Sequence, residues 1–217
     1  MADRLYTTIE PRISASVPGM PQPTLLRYIQ SAARVVCERT LAWRYEQDVQ
    51  ILTPGEYRYE YETPSNTEVC AVLHTALNGV GVTWVTEEEL HDRYPSWPSE
   101  TVTERSAPRV FSQYDTQNYV VAPVPDSDTT YNIKMFLALR PTLSATGMDS
   151  VVFNEVEDLI EHAVLQEALV LPEKSWSDRQ LANYHAKQLI FKIAERRAKA
   201  NITAGRVSLR VKNVAWV

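Results

Sequence analysis

The sequence predicts an α+β fold in which a helical core carries an inserted antiparallel β module and extended terminal arms. Apolar residues recur at three- and four-residue steps near the N terminus and in the C-terminal third, whereas in the middle they alternate with polar residues. These changes of period divide the chain into an N-terminal arm (1–23), a helical core (24–43 and 147–203), a β-rich module (44–146) and an extended tail (204–217).

The N-terminal segment is predicted to be an arm because the stretch IEPRISASVPGMPQP holds four of the thirteen prolines. Proline pushes the residue before it toward extended conformations, and we find no period of 2 or 3.6 in this segment. In a monomer such an arm is expected to be mobile, and in an oligomer it is a natural strap across a neighbouring copy.

The first predicted helix starts at Thr24, a suitable N-cap, and continues through one apolar stripe to Cys37. A second stripe, from Val152 to Val164, has acidic residues opposite it. The short loop Pro172–Trp176 then leads to Ser177, the predicted N-cap of the last helix. A short connection between two long helices predicts an antiparallel hairpin, and the three helices are expected to pack together.

The β-rich module is predicted from alternation. Tyr57, Tyr59 and Tyr61 alternate with charged residues. In the run Tyr131–Arg140, five apolar residues are expected to face one side of a strand, namely Tyr131, Ile133, Met135, Leu137 and Leu139. The Asn78-Gly79 pair between two apolar runs indicates a tight hairpin. No helix long enough for a crossover between parallel strands is predicted here, so the module is expected to be antiparallel.

A short helix is also predicted inside the β-rich module. Thr86, followed three residues later by Glu89, has the pattern of a capping box, and the helix is expected to end near Pro95.

Charge is unevenly distributed along the chain. The 217 residues carry a formal net charge of −5, yet the part from Trp176 to the C terminus carries +7, which leaves −12 for residues 1–175. This asymmetry suits an acidic body with a basic segment that binds an acidic partner or phosphate, although an amphipathic helix with a solvated face explains it equally well.

Residues that could perform chemistry are sparse, so no catalytic residue, cofactor site or metal site is expected. Asp158 and His162 share a helix face, but one such pair is only half of a metal site. Six glycines leave little material for a phosphate-binding loop. Cys37 and Cys70 lie far apart in the sequence and predict two reduced, buried thiols in an intracellular protein. No signal peptide or membrane-spanning segment is recognised.

The order of features along the chain resembles phage head-to-tail adaptor (connector) proteins. The resemblance runs from about Pro11 to Asn201 and is carried by four stretches: VCERTLAWRYEQDVQI, PGEYRYEYETP, VLHTALNGVGVTWVTEEELHDRYPSW and the closing hairpin HAVLQEALVLPEKSWSDRQLANYHAKQLIFKIAERRAKAN. Smaller adaptors are almost wholly helical, so the large β insertion places this chain with the longer members.

The resemblance implies a structural virion protein without catalytic residues, made in the host bacterial cytoplasm and located in the neck of the virion. Such adaptors form rings, typically of twelve copies, that dock under the portal, close the filled capsid and offer a surface to a tail or neck protein. Their helical core packs against neighbouring subunits, and a C-terminal extension reaches into the portal. Genomic DNA is expected to pass through the lumen without specific binding, because carboxylates repel phosphate.

Two groups of residues are expected to carry this assembly. In the inter-subunit group, the acidic residues Glu157 and Glu161 of one subunit are expected to pair with the basic residues Arg196 and Arg197 of the neighbouring subunit. The portal-docking group lies in the tail, where apolar and basic residues alternate without a sequence neighbour to pair with. Its members are Arg206, Val207, Leu209, Arg210, Val211, Lys212, Val214 and Trp216.

Two other classes of function remain open from the sequence. One is another phage neck or tail component, such as a tail terminator or a baseplate subunit. The other is a small hydrolase or nuclease, because any chain with 27 acidic residues offers pairs of carboxylates. A ring in solution favours the head-to-tail adaptor, and a compact monomer with metal-dependent turnover favours the hydrolase or nuclease.

Overall fold

The structure is a computed structural model that describes residues 3–99 and 101–203. A 3-10 turn (Tyr6–Thr8) precedes the helices α1 (Glu10–Ser14), α2 (Gln22–Thr40), α3 (Glu87–Arg93), α4 (Ser150–Ala168) and α5 (Arg179–Thr203). The strands are β1 (Asp3–Leu5), β2 (Arg44–Glu46), β3 (Gln50–Leu52), β4 (Arg58–Glu60), β5 (Thr67–Leu77), β6 (Val80–Gly81), β7 (Thr83–Trp84), β8 (Val110–Gln113), β9 (Asn118–Ala122), β10 (Tyr131–Pro141) and β11 (Gly147–Asp149). The prediction of an α+β fold is therefore confirmed.

The larger sheet is built on β5 and β10, in the order β2-β10-β5-β6, with β3 also paired to β10, and all its pairs are antiparallel. The predicted alternation in β10 is confirmed, because the five residues expected on one face are all buried, whereas Asn132, Lys134 and Phe136 are exposed. Asn78 and Gly79 both have positive φ, as a tight turn between β5 and β6 requires.

The smaller sheet has the order β4-β9-β8-β7 and departs from the expected antiparallel arrangement. β7 and β8 are parallel, and the chain between them contains α3. The prediction of a purely antiparallel module is therefore wrong for this pair. β7 and β8 are so short that a connection containing one short helix returns the chain to the same end of the sheet, where β8 starts parallel to β7. The predicted cap of that helix is confirmed, since Thr86 accepts a hydrogen bond from the Glu89 N–H.

The tyrosine stripe of β4 belongs to the core. Tyr59 and Tyr61 are buried and contact the Tyr119 ring of β9, at 5.6 and 5.1 Å between ring centroids. Tyr57 is partly exposed and meets Trp97 edge to face. These aromatic contacts explain the alternation seen in the sequence as packing rather than as a binding surface.

The long helices cover one side of the larger sheet. α2 packs on β10 and on α4, and α4 packs on α5. α5 runs antiparallel to α4, because Asp158 contacts Lys192 whereas His162, further along α4, contacts His185, which lies earlier in α5.

The helix starts differ from the expected residues at two places. α2 begins at Gln22, before Thr24, with Pro21 at its N-cap and a second proline in its first turn, where a missing N–H costs nothing. In α5 the side chain of Asp178, not Ser177, accepts hydrogen bonds from the backbone N–H groups of Gln180 and Leu181, at 2.9 Å each. Aspartate is the better acceptor for the positive end of a helix.

The N-terminal segment is not the predicted extended arm. β1 pairs antiparallel with β11, and the chain then forms the 3-10 turn and α1. Tyr6, Ile9, Ile13 and Val17 are at most 2% exposed. These residues are spaced by three, four and four positions, a helical period that the surrounding prolines obscured. Burial of each large apolar side chain contributes roughly 1.5–3 kcal/mol, which suffices to hold the segment on its own chain.

Gly147 makes this docking possible. A Cβ atom at this position would lie 2.5 Å from the carbonyl oxygen of Arg4, which is a backbone atom and cannot swing aside. β1 therefore approaches β11 as closely as it does because position 147 has no side chain.

Candidate functional site

The helical hairpin of α4 and α5 carries the four residues predicted to lie between subunits, and each of them has a partner in its own chain. Glu157 accepts hydrogen bonds from Arg4, the shorter at 3.0 Å, and Glu161 forms an ion pair with Arg12. Two residues of the acidic face of α4 are thus bound by the N-terminal segment, a contact that no pattern in the sequence predicts.

The two basic residues also have contacts within the chain. Arg196 lies 3.7 Å from the Asp158 carboxylate, and the Arg197 guanidinium donates to the carbonyl oxygen of Arg39 at the end of α2. The structure does not test contacts between copies, so the inter-subunit role of these four residues stays a prediction.

The carboxylate of Asp158, on α4, is bound by basic residues of α5. Its Oδ2 accepts a hydrogen bond from Lys192 at 2.7 Å. Burial opposes its ionisation, but the hydrogen bond and charge of Lys192, together with Arg196, outweigh burial and hold the pKa of Asp158 below its ordinary value. Within residues 3–99 and 101–203 no group of three histidine, cysteine or acidic side chains could hold a metal ion.

His162 and His185 form the most unusual polar contact of the hairpin. Their Nδ1 atoms lie 2.8 Å apart across the α4–α5 interface, so one ring donates its proton and the other accepts it. Burial lowers the pKa of both imidazoles, and the Lys192 charge lowers that of His162 further. The pair is therefore suited to a state in which at least one ring is neutral.

The cysteines are free thiols that stay protonated at neutral pH. Burial raises the pKa of Cys37 to about 12 and that of Cys70 to about 11. The thiol of Cys70 donates to the carbonyl oxygen of Ala138. A thiolate nucleophile is consequently not favoured at either position.

α5 also carries large apolar residues outside the side that packs on α4. Ala182, Leu189 and Ile193 are buried at helical spacing, whereas Ile190 and Phe191 are 66% and 67% exposed. Leu181 and Tyr184 are exposed on the same side as Phe191. The sequence signal was available, because Leu189, Ile190 and Phe191 are consecutive and cannot all face one side of a helix.

The portal-docking residues predicted between Arg206 and Trp216 lie outside the described residues. Across 3–99 and 101–203, no helix is both long enough and apolar enough to cross a membrane.

Comparison with known proteins identifies the family. No curated protein matches the chain. The family model described as SU10 adaptor protein, however, matches residues 3–211, which include both sheets and all the helices described above. This range agrees with the resemblance seen in the sequence. The chain therefore belongs to the SU10 adaptor protein family, a family of phage head-to-tail adaptors.

Proposed function

We propose that this protein assembles with copies of itself into a ring, of twelve subunits, that docks under the portal and connects the DNA-filled capsid to the tail around the DNA channel. Membership of an adaptor family makes the protein a structural component of the virion that interacts with portal and tail proteins. Beyond that role, we propose the ring, its copy number and its position in the neck.

The observation that carries the proposal is the outward apolar face of α5. A helix that is apolar on both sides is normally buried on both sides. α4 covers one side of α5, and Ile190 and Phe191 remain exposed on the rest of the helix. Large apolar residues that are exposed next to each other are typical of interaction sites, and a neighbouring copy of this chain would bury them.

The charge of the protein agrees with a DNA channel. Residues 1–175 carry −12, and such a body repels phosphate, so that DNA slides through a lumen instead of condensing on it. Glu157, Glu161, Arg196 and Arg197 remain proposed inter-subunit residues. Arg197 is the one best placed for it because its side chain is exposed.

Ring formation is tested by replacing the two most exposed apolar residues of α5. The double variant Ile190→Ser/Phe191→Ser should stay folded, since both side chains are about two-thirds exposed in the single chain. It should shift the protein from ring to monomer in sedimentation velocity and in negative-stain images.

The matched control is Leu143→Ser, an exposed apolar residue outside the helices, which should leave assembly unchanged. A double variant that assembles like the unmodified protein would remove the main support for the ring.

Portal docking is proposed for the residues from Arg206 to Trp216, where basic and apolar residues alternate. Deleting residues 206–217 should leave a folded protein that no longer binds purified portal. Unchanged portal affinity of the shortened chain, measured by sedimentation or interferometry, would show that docking uses another surface.

A further inference from the structure

A groove of about 660 Å³ lies between β5 and β8, beside β7 and the first turn of α3. Val72 of β5, Trp84 of β7 and Gln113 of β8 are among the residues that line it. The proposed ring makes no use of this groove. Residues 3–99 and 101–203 leave it open, so another segment of protein can enter it.

The edge of β5 that borders the groove has open backbone groups. On β10, Met135 and Leu139 hydrogen bond with the segment around β2, at 3.0 and 2.8 Å, so Leu137 between them also points toward β2. Val72 is directly opposite Leu137, in a pair whose backbone groups point away from each other. The N–H and C=O groups of Val72 therefore point into the groove, and in the described part of the chain they have no hydrogen-bond partner.

The same edge of β5 is paired on both sides of Val72. The Val69 N–H donates to the Thr116 carbonyl oxygen, and the Thr75 carbonyl oxygen accepts from the Val82 N–H, at 3.1 Å each. The groove is thus a gap of a few residues in a strand edge that is otherwise hydrogen-bonded.

β8 borders the groove from the opposite side and has a second open position. The carbonyl oxygen of Phe111 accepts a hydrogen bond from the N–H of Val85, which follows β7, at 2.9 Å. Gln113, two residues further along β8, points its backbone groups the same way, past the end of β7. Across 3–99 and 101–203 these groups have no hydrogen-bond partner. A gap with open N–H and C=O groups on both sides is a template for one additional short strand.

The last helix brings the chain to the side of the molecule where β5 starts. The guanidinium of Arg197 on α5 donates to the carbonyl oxygen of Arg39 at the end of α2. The adjacent Glu38 pairs with Arg140 at 2.8 Å, and Arg140 also pairs with Glu68 of β5 at 3.2 Å. The tail that follows α5 has 14 residues and spans roughly 46 Å when extended by about 3.3 Å per residue, so it can reach the groove.

The sequence of the tail is that of a strand with one buried face. Val207, Leu209 and Val211 are apolar and alternate with polar or basic residues. The groove offers such a face half-buried apolar side chains, among them Trp84 and Val85.

Charge also matches the tail to the groove. The tail carries three basic residues and no acidic ones. Among the described residues that line the groove only Glu87 and Glu89 are charged, and both are acidic. Glu89 pairs with Arg93, whereas Glu87 takes part in no ion pair within the described chain.

We propose that residues 206–212 bind in the groove of their own chain as an additional strand between β5 and β8. This strand would pair with the open backbone groups of Val72 and Gln113. Its apolar side would cover Trp84, and its basic side would lie near Glu87. The same segment is proposed to dock to the portal, so the groove would hold it until the portal binds. That transfer, unlike the binding itself, rests on the proposed function.

The test compares two triple variants of the full chain. The tail variant replaces the apolar side of the proposed strand by serine: Val207→Ser/Leu209→Ser/Val211→Ser. The control variant makes the same change at three exposed positions outside the groove: Val102→Ser/Leu143→Ser/Val151→Ser.

Hydrogen exchange of single amides, measured by mass spectrometry, reports the pairing. In the tail variant the Val72 and Gln113 amides should exchange about tenfold faster, or more, than in the unmodified protein and the control variant, because they lose their acceptors. The Val69 amide donates to Thr116 and not to the tail, so it should exchange equally in all three proteins. Equally fast exchange of Val72 and Gln113 in all three proteins would overturn the proposal.

A mixing experiment identifies the chain that supplies the strand. The ¹⁵N-labelled tail variant is unfolded and refolded together with an excess of unlabelled unmodified protein. If the strand comes from the same chain, the Val72 amide of the labelled chain still exchanges fast. Slow exchange in the labelled chain would mean that a neighbouring copy supplies the strand, and the proposal would be wrong. Sedimentation of the same samples reports the ring separately, so failure of the ring and failure of the groove give different results.

Discussion

Replacing Gly147 with alanine should loosen the N-terminal segment from the rest of the protein. The added Cβ would meet the Arg4 carbonyl oxygen at 2.5 Å, so β1 must move away from β11. Forcing a methyl group into a packed position costs about 1–3 kcal/mol. Weakening the adjacent hydrogen bond from Tyr6 N–H to the Thr146 carbonyl adds about 0.5–1.5 kcal/mol.

Alanine also restricts the unfolded chain, which offsets about 0.4–1 kcal/mol of this loss. The net decrease in the free energy of unfolding is therefore expected to be about 0.5–4 kcal/mol. For a protein of this size each kcal/mol corresponds to roughly 2–4 °C in the melting temperature.

The assay combines denaturant unfolding with hydrogen exchange of the amides in β1. The Gly147→Ala variant should lose protection at Arg4, Leu5 and Tyr6 before the core opens. Gly81→Ala is the matched control, because the nearest neighbour of its Cβ would be the end of the His74 ring at 3.9 Å. If both alanine variants unfold within about 0.5 kcal/mol of the unmodified protein, which is the usual spread of harmless surface substitutions, a Cβ at position 147 does not displace β1.

Two further predictions follow from the buried contacts. Ile13→Ala should lower the free energy of unfolding by about 2–5 kcal/mol and expose the N-terminal segment to limited proteolysis, because Ile13 is fully buried, whereas Leu5→Ala, at a half-exposed position, should do neither. The free energy of unfolding should also fall as the pH drops below the ordinary histidine pKa of 6.5. The folded-state pKa of both His162 and His185 is lowered, so the unfolded chain binds more protons in that window. Urea unfolding between pH 7.5 and 5 should show this slope, and a His162→Gln/His185→Gln variant with the same slope would contradict it.

Local patterns predicted the regular elements well. Alternation located β10 because only one of its faces is buried, and the Asn78-Gly79 pair located the β5–β6 turn because positive φ at both positions selects those residues. The capping box of α3 could also be recognised in the sequence, since Thr86 and Glu89 interact within one helical turn. Each of these features depends on residues that are neighbours in sequence.

The docking of the N-terminal segment was not predictable in the same way. Tyr6, Ile9, Ile13 and Val17 had a helical period, but the prolines between them suggested an extended chain. They pack on α2, which follows directly, but also on α4, more than a hundred positions later. No local pattern indicates that Arg4 and Arg12 reach Glu157 and Glu161, so the acidic face of α4 was expected to be open to a neighbouring subunit.

The candidate site shows the same difference between features that are local in sequence and contacts between distant segments. The exposed apolar residues of α5 could have been recognised from three consecutive apolar positions, whereas the ion pairs of Glu157 and Glu161 depend on a segment at the other end of the described fold. A sequence pattern indicates which face of a helix or strand is buried, but it does not indicate which distant element packs against that face.

The pairing of β1 with β11 also sets an order for folding during synthesis. Asp3 leaves the ribosome before Asp149, which follows 146 residues later. At about 5–20 residues per second the N-terminal segment must therefore wait roughly 7–30 s for its partner strand. During this time Ile9 and Ile13 are exposed to solvent and to other nascent chains. The segment that holds β1 is thus made well before its partner strand and is among the last to fold, so early folding intermediates should bind chaperones through Ile9 and Ile13.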